Sequence, residues 1–144
     1  MDLDAHQGNG TAAVFGSWDW ASIYDLYERD IFPSRKEPED FPLPVGPGLS
    51  GVEYLGILRD TLPGALDAAR PDLVVYNAGS DPFVGDPLAH YRLTAGDLAE
   101  RDLLVATEVR ERGVPLAMVL SGGYSSESWK IHADAIEGIL ATST

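Results

Sequence analysis

The chain has 144 residues, the length of one ordinary domain, and carries 10 Lys and Arg against 23 Asp and Glu, a formal net charge of −13. This charge disfavours nucleic acid and anionic membranes as partners, because both are bound through basic surfaces. Cysteine is absent from the sequence, which excludes disulfide scaffolds and thiolate chemistry. No apolar run is long enough to span a membrane and no basic leader opens the chain, so we expect a soluble, cytoplasmic protein.

Three segments predict the strands of a mostly parallel sheet. The first, residues 22–27, is the least apolar and is expected to lie near an edge. The others, residues 73–76 and 116–120, are continuous apolar runs introduced by Pro71 and Pro115. Continuous apolarity is typical of parallel strands that are covered on both faces, so we expect both runs to be fully buried.

Two helices are predicted around the second strand. The first has apolar residues at three- and four-residue spacing and should be kinked or split at Pro63. Its apolar stripe is formed by Val52, Leu55, Leu58, Leu62 and Leu66. The second is predicted to start at a capping signal over 94–97 and to end at Gly113. Its apolar face is formed by Leu98, Val105 and Val109.

The rest of the chain predicts one further helix and one long loop. Ser125 and Ser126 are expected to cap a last helix. Its apolar face would carry Trp129, Ile136 and Leu140. Residues 33–50 hold five of the ten prolines, which predicts a long surface loop. The alternation of strands and helices predicts an α/β fold, in which functional residues gather at the carboxyl ends of the strands.

The N-terminal loop, residues 2–10, holds the first candidate metal ligands. Asp2, Asp4 and His6 alternate along the chain, so an extended backbone lets their side chains converge on one side. Carboxylate oxygens combined with an imidazole nitrogen suit zinc or another first-row divalent metal. The alternative interpretation is a solvated acidic turn with a chance histidine.

Two more loops follow predicted strand ends. Asp81 comes after the strand over 73–76, where a buried carboxylate needs a partner or a cation. It could be a third metal ligand that leaves one position for water, or it could form an Asx turn or helix cap. After the strand over 116–120, Gly122 and Gly123 allow the close approach of a ligand, and Tyr124 could donate to a developing oxyanion.

Taken in order, the Asp-x-Asp-x-His, Asp and Gly-Gly-Tyr motifs resemble those of the histone deacetylase family, and residues 2–10 are most similar to its class IV branch. The resemblance covers nearly the whole chain. It is supported by shorter matches at 74–79, 85–86, 101–102, 121–124 and 132–136. It implies a three-layer α/β/α fold with a mostly parallel sheet, of the arginase and deacetylase type.

The resemblance also implies a function, a zinc-dependent deacylase that hydrolyses acyl-lysine by means of a metal-activated water. Its zinc ligands would be Asp4, His6 and Asp81. Tyr124 would stabilise the tetrahedral oxyanion, and Gly123 would help to shape the acyl channel. Asp2 and, by a weaker match, Asp25 would contact a structural monovalent cation such as K⁺. The substrate would be an acyl-lysine protein or a small acylated amine.

The chain departs from the family pattern in its proton-transfer groups. Family members carry an adjacent His-His pair upstream of the metal loop, whereas this chain has only His6, His90 and His132. Because the metal loop directly follows Met1, we expect residues 1–144 to be the C-terminal half of a deacetylase domain whose N-terminal strands are missing. Such a chain should self-associate through an exposed sheet edge and have weak zinc affinity and little activity.

Three alternatives stay open at this stage. An Mg²⁺-dependent Asp-x-Asp phosphatase would leave His6 and Tyr124 unexplained. An arginase-type site with two manganese ions would need more carboxylates and histidines than these loops supply. A truncated, non-catalytic remnant would act only through binding, and failure to bind zinc at neutral pH would favour it.

Overall fold

A computed structural model describes residues 1–142 of the chain. In chain order its elements are α1 (Asn9–Phe15), β1 (Tyr24–Glu28), β2 (Phe41–Val45), α2 (Gly51–Ala69), β3 (Val74–Asn77), α3 (Ala95–Glu111), β4 (Leu116–Val119) and α4 (Ser128–Ala141). Parallel pairing joins β1 to β2 and β3 to β4. The parallel α/β architecture predicted from the sequence is therefore confirmed, with α1 and β2 as two elements that the sequence patterns did not predict.

Residues 1–3 join the two strand pairs. Asp2 forms parallel bridges with Asp25 of β1 and with Asn77 of β3. The Asp2 N–H donates to the Tyr24 carbonyl at 2.8 Å, and the Leu3 N–H donates to the Asn77 carbonyl at 3.0 Å. The order across the sheet is therefore β2, β1, residues 1–3, β3 and β4, and the segment that leads into the first candidate loop lies in the middle of the sheet.

β2 lies inside the segment 33–50, so the prediction of an uninterrupted loop there was wrong. Its register on β1 is set in part by the Phe41 N–H, which donates to the Ile23 carbonyl at 2.9 Å. Because residues alternate along a strand, Pro42 and Pro44 turn their nitrogens away from β1. Prolines are tolerated in a strand that pairs on one side only, so the proline count did not exclude a strand here.

The burial of the other strands also differs from the prediction. β1 was expected near an edge, yet all five of its residues are buried between β2 and residues 1–3. β3 and β4 were expected to be buried on both faces, yet Val75 is 52% exposed and Val119 is 49% exposed. Continuous apolarity could not show that α2 and α3 cover only one of the two faces here.

We call that side of the sheet the covered face. Leu3, Leu26, Val74 and Tyr76 point from it into one apolar core. The helices contribute Tyr54, Leu58, Leu62, Leu66, Leu98, Val105 and Val109 to the same core. The other side, which we call the open face, carries Asp2, Asp25, Val75 and Asn77, since alternate residues of a strand point to opposite faces.

α2 runs as one helix through Pro63, so of the two predicted outcomes, a kink or a split, the split does not occur. Leu58, Leu62 and Leu66 lie on both sides of the proline and pack into the same core, which stabilises the continuous helix. At its start, Ser50 and Glu53 form a reciprocal capping box. Val52 was predicted to belong to the apolar stripe but is 82% exposed, because it lies in the first turn beyond the core.

α3 confirms its prediction. Thr94 and Asp97 form a capping box, and Gly113 follows the helix with a φ of +68°, a left-handed conformation that favours glycine. The predicted apolar face, Leu98, Val105 and Val109, is buried. None of the helices within residues 1–142 is long and apolar enough to cross a membrane.

α4 exists, but its predicted start and its predicted buried face were wrong. Its N-cap is Glu127, whose N–H donates to Ser125 Oγ at 3.1 Å, and neither Ser125 nor Ser126 caps the helix. The predicted face is largely exposed, with Trp129, Ile136 and Leu140 at 74%, 38% and 63%. α4 packs on α3 and buries Ile131, His132 and Ala135. Because the buried face contains a histidine, a search for regularly spaced apolar residues did not find it.

Candidate metal centre

Asp4, His6 and Asp81 meet at the carboxyl edge of the sheet. His6 Nδ1 lies 2.8 Å from Asp81 Oδ2 and 3.2 Å from Asp4 Oδ1. One potential ligand atom from each of the three residues lies within 4.8 Å of the others. Residues 1–3 and β3 are neighbours in the sheet, so the loops that follow them converge as the strand-end argument predicted.

Backbone hydrogen bonds fix the two loops against each other. The Ala5 N–H donates to Asp81 Oδ1 at 2.8 Å, which ties the N-terminal loop to the loop after β3. Within the N-terminal loop, the Asp4 N–H donates to Asp2 Oδ1 at 3.0 Å and the His6 N–H donates to Asp4 Oδ1 at 2.9 Å. The alternating residues thus orient one another, and the three candidate ligands sit on a hydrogen-bonded frame.

A positive charge stabilises this cluster, because two carboxyl groups lie close together with little access to water. Hydrogen bonds to Asp4 and Asp81 raise the pKa of His6 to about 10. Burial raises the pKa of Asp81 to about 6. Burial also acts to raise the pKa of Asp4, but hydrogen bonds, that from His6 foremost, outweigh it and hold the pKa below its usual value. A proton on His6 compensates the carboxylates here, and a bound cation would do the same.

The donor set fits a first-row divalent metal. It offers two carboxylate groups and one imidazole nitrogen, the ligand types found in catalytic zinc sites with three protein ligands. Asp81 is fully buried and Asp4 is 9% exposed, so both carboxylates lie where an ion would be shielded from bulk water. The chemistry of the residues present is therefore compatible with zinc.

The third predicted loop closes over Asp4. The Gly122 N–H donates to Asp4 Oδ2 at 3.1 Å, and a Cβ added at Gly122 would clash with that oxygen. Gly123 has a φ of +146°, and a Cβ there would clash with the Ser80 hydroxyl. These two glycines are needed for the close approach that the Gly-Gly-Tyr motif predicted.

Tyr124 opens onto a cavity of about 480 Å³ beside the cluster. The lining residues are Asp4, His6, Ile31, Phe32, Leu88 and Tyr124. The Tyr124 side chain is 57% exposed, while its backbone N–H is held by Asp86 Oδ2 at 2.7 Å. Sequence reasoning missed Ile31, Phe32 and Leu88, because isolated apolar residues in loops follow no periodic pattern.

A second, larger cavity of about 710 Å³ lies at the amino edge of the sheet. Met1, Phe15, Trp20 and Val75 contribute to its wall, which is predominantly apolar. None of the three candidate ligands lines it. The convergence of titratable groups, and not cavity size, therefore identifies the smaller cavity as the candidate site.

The residues predicted to contact a monovalent cation lie side by side on the open face. Asp2 Oδ2 accepts from Asn77 Nδ2 at 2.9 Å, and Asp25 Oδ2 accepts from the Gly8 N–H at 2.8 Å. Burial raises the pKa of Asp2 to about 6, and burial together with the charge of Asp2 raises the pKa of Asp25 to about 10. Asp25 Oδ1 is buried without a hydrogen-bond partner among residues 1–142.

The other two histidines lie elsewhere. His90 Nδ1 pairs with Oε1 of the buried Glu28 at 2.7 Å. His132 is buried in α4, where its Nδ1 has no hydrogen-bond partner among residues 1–142. Of the three histidines, only His6 lines the 480 Å³ cavity.

Comparisons with known proteins identify the family and the fold. The model of the histone deacetylase domain matches residues 1–139, so the chain belongs to the histone deacetylase family. Family membership leaves no place for the phosphatase alternative. It confirms the resemblance drawn from the strand-end motifs.

Individual relatives extend well beyond the matched region. Histone deacetylase 2 of Arabidopsis thaliana is 37% identical over 142 residues, which cover 96% of this chain and 37% of the relative. The histone deacetylase-like amidohydrolase of Pseudomonas aeruginosa is 28% identical over 137 residues, covering 87% of this chain and 36% of the relative. The chain thus spans less than two fifths of the length of these two relatives.

Two solved structures confirm the fold. The HDA15 HD domain superposes with a TM-score of 0.80 at 24% identity, covering 99% of this chain and 44% of that chain. The acetylpolyamine aminohydrolase of Burkholderia pseudomallei superposes with a TM-score of 0.74 at 24% identity, covering 97% and 44%. At this identity the likeness establishes a shared fold, and function has to be argued from the site.

Proposed function

We propose that residues 1–144 form part of a zinc-dependent deacylase domain and supply its metal ligands and its oxyanion-stabilising tyrosine. The observation that carries the proposal is the convergence of Asp4, His6 and Asp81 beside a cavity that Tyr124 also lines. The substrate class we propose is acyl-lysine in a protein or a small acylated amine. The net charge of −13 is compatible with a cationic substrate.

Zinc bound by Asp4, His6 and Asp81 would polarise the acyl carbonyl and activate a water molecule. Tyr124 would donate its hydroxyl proton in a hydrogen bond to the carbonyl oxygen as negative charge develops there. Burial and the nearby carboxylates raise the pKa of Tyr124, so its hydroxyl stays protonated at neutral pH. Gly123 and the apolar wall of Ile31, Phe32 and Leu88 would accommodate the acyl chain.

The surroundings of the site support further parts of the proposal. Asp2 and Asp25 would hold a structural cation such as K⁺, which would compensate two buried carboxyl groups that each raise the other's cost of ionisation. Residues 1–144 would be the C-terminal half of the domain, in line with the 36–44% of each of the four relatives described above that the chain covers. Assignment to class IV rests on the sequence motifs, and assignment to the cytoplasm rests on the lack of a membrane-spanning apolar run. Both stay predictions.

The chain alone is expected to turn over slowly. No second histidine lines the 480 Å³ cavity, and positioned proton transfer typically contributes about 10²–10⁴-fold to a rate. β4 has only β3 as a partner within residues 1–142 and leaves Val119 about half exposed, which supports self-association through this edge.

Zinc loading followed by deacylation assays tests the proposal. The chain should bind zinc in a titration at neutral pH, and with zinc present it should slowly hydrolyse an acetyl-lysine peptide or an acetylated polyamine. Tyr124→Phe should retain the same zinc with turnover reduced about 10²–10³-fold. Tyr24→Phe is the matched control, because the Tyr24 hydroxyl bonds Thr61 Oγ1 on the covered side of the sheet.

The outcomes separate the alternatives. Failure of the chain to bind zinc would favour a non-catalytic remnant. Retained zinc with unchanged turnover in Tyr124→Phe would contradict the role of Tyr124. Rapid turnover by the chain alone would contradict the expectation that the other part of the domain is needed.

A further inference from the structure

We infer that Arg101 of α3 is a positioning residue that locks the two loops carrying the candidate metal ligands into one geometry. The inference rests on the proposed zinc site. The pair Arg101-Asp102 belongs to the motifs that support the family resemblance, but none of the functions considered so far uses it. The structure shows where its atoms go.

Arg101 is fully buried, and its guanidinium hydrogen-bonds the backbone of two loops. Nη1 donates to the Leu3 carbonyl at 3.1 Å and to the Gly79 carbonyl at 2.8 Å. Nη2 donates to the Ala78 carbonyl at 3.1 Å. Three backbone acceptors from two loops are thus held by one side chain.

These carbonyls lie directly before the candidate ligands. Leu3 precedes Asp4 in the chain, and Ala78 and Gly79 precede Asp81 by three and two residues. A shift of any of these three carbonyls would displace a ligand relative to its partner in the other loop. The guanidinium therefore fixes the distance between Asp4 and Asp81 from the covered face of the sheet.

The remaining contacts hold the guanidinium itself. Nε donates to Asp102 Oδ1 at 2.8 Å, and the Tyr76 hydroxyl donates to the same oxygen at 2.5 Å. The guanidinium also lies 6.0 Å from the centre of the Tyr76 ring. Asp102 is fully buried and neutralises the arginine, so the charge is compensated inside the core.

Arginine suits this role better than lysine. Its planar, forked guanidinium offers five N–H donors in a fixed arrangement. Here it makes four hydrogen bonds, one to a carboxylate and three to carbonyls. An ammonium group is a point charge and cannot span the same acceptors in one plane. α3 is anchored by its capping box, so the fork projects from a rigid element.

Co²⁺ titration of the full 144-residue chain tests the inference, with visible absorption reporting both affinity and ligand geometry. The variants are Arg101→Met, which removes the fork, and Arg101→Lys, which keeps the charge. Arg112→Met is the matched control, since Arg112 at the end of α3 pairs with Asp67 and Glu108 on the surface. Circular dichroism establishes which variants are folded.

The expected result is a loss of Co²⁺ affinity of about tenfold or more in folded Arg101→Met, because groups that orient ligands typically contribute 10–100-fold. Its Co²⁺ absorption spectrum should also change, whereas Arg112→Met should match the unmodified chain in both readouts. A residue needed only for folding would lower the melting temperature of the metal-free protein and leave the affinity and spectrum of the folded fraction unchanged.

If Arg101→Met does not fold, Arg101→Lys decides. A loss of Co²⁺ affinity of threefold or more in the folded lysine variant supports the inference, and a smaller loss overturns it. Folded Arg101→Met with the affinity and spectrum of the unmodified chain would also overturn it. Failure of the unmodified chain to bind Co²⁺ is a different result, because it contradicts the proposed metal site itself.

Discussion

The two faces of the sheet differ in the side chains they carry and in how these are covered. On the covered face, side chains such as Leu26 and Tyr76 pack against α2 and α3, and the buried charges of Arg101 and Asp102 pair with each other. On the open face, Asp2 and Asp25 lie side by side while Val75, one strand away, is half exposed. The same strands thus contribute to an apolar core on one face and, on the other, place buried carboxyl groups beside a half-exposed apolar side chain.

This difference indicates where the stability of the described chain comes from. Apolar burial on the covered face supplies most of the stability, because it removes side chains from water on both the sheet and the helices. The candidate metal centre lies at the carboxyl edge of the sheet. Arg101, on the covered side, hydrogen-bonds the backbone of both loops that carry its ligands. The open face belongs to a chain that spans only 36–44% of the four relatives described above.

The largest expected effect is on stability, and it compares one substitution on each face of the sheet. Leu26→Ala on the covered face should lower the free energy of unfolding by about 2–5 kcal/mol, because it opens a cavity in a packed core. Val75→Ala on the open face should cost less than about 1 kcal/mol, since its side chain is 52% exposed. Urea denaturation of both variants measures the two values, and equal losses would remove the distinction between the faces.

Gly122 tests whether the carboxyl edge depends on close approach. Gly122→Ala should weaken Co²⁺ binding by about tenfold or more, because the added Cβ would displace the Asp4 carboxylate. Gly138→Ala in α4 is the control, since a Cβ there meets no atom within 4 Å. Unchanged Co²⁺ affinity in folded Gly122→Ala would show that Asp4 does not need its observed position.

His132 sharpens the account of the covered side, where α4 packs on α3. Burial lowers the pKa of His132 below its usual value of 6.5. The unfolded chain therefore takes up a proton that the folded chain resists, and stability should fall as the pH decreases through and below 6.5, by at most about 1.4 kcal/mol per pH unit.

Comparison of the chain with His132→Gln isolates this effect, because His6 and the carboxyl groups titrate in both proteins. The free energy of unfolding should fall more steeply in the histidine form between pH 7.5 and 5.5. Parallel pH profiles for the two proteins would show that His132 does not contribute.

The smallest expected effect concerns the outer surface of α2. Gly64→Ala should raise the free energy of unfolding by about 0.5–1 kcal/mol, because alanine loses less backbone entropy in a helix and its Cβ meets open space. Gly51→Ala in the same helix should be destabilising, since its Cβ would clash with the Asp97 carboxylate. Thermal unfolding of both variants distinguishes them, and a stabilising Gly51→Ala would contradict this packing.

The sequence was informative where local chemistry decides the structure. The Thr94 and Asp97 side chains form a cap that depends only on neighbours in the chain, and it was predicted correctly. The convergence of Asp4, His6 and Asp81 followed from a general rule on parallel sheets. Both predictions rest on effects that reach across a few residues or on the geometry of the fold class.

The sequence was least informative where long-range packing decides. Pro42 and Pro44 lie in β2 because β1 pairs with the other side of the strand, which no local signal reveals. The buried face of α4 contains His132, and its exposed face contains Trp129. Hydrophobicity alone would place the tryptophan inside and the histidine outside. The contacts of Arg101 join segments 98 residues apart in the chain, so only the folded structure shows them.

A zinc titration of the 144-residue chain and of His6→Ala tests the central claim most directly, with His90→Gln as the matched control because His90 pairs with Glu28 away from the cluster. We expect one zinc ion per chain, an affinity reduced at least about tenfold in His6→Ala, and no change in His90→Gln. Absence of zinc binding by the unmodified chain, or equal affinity in His6→Ala, would contradict the assignment of Asp4, His6 and Asp81 as one metal site.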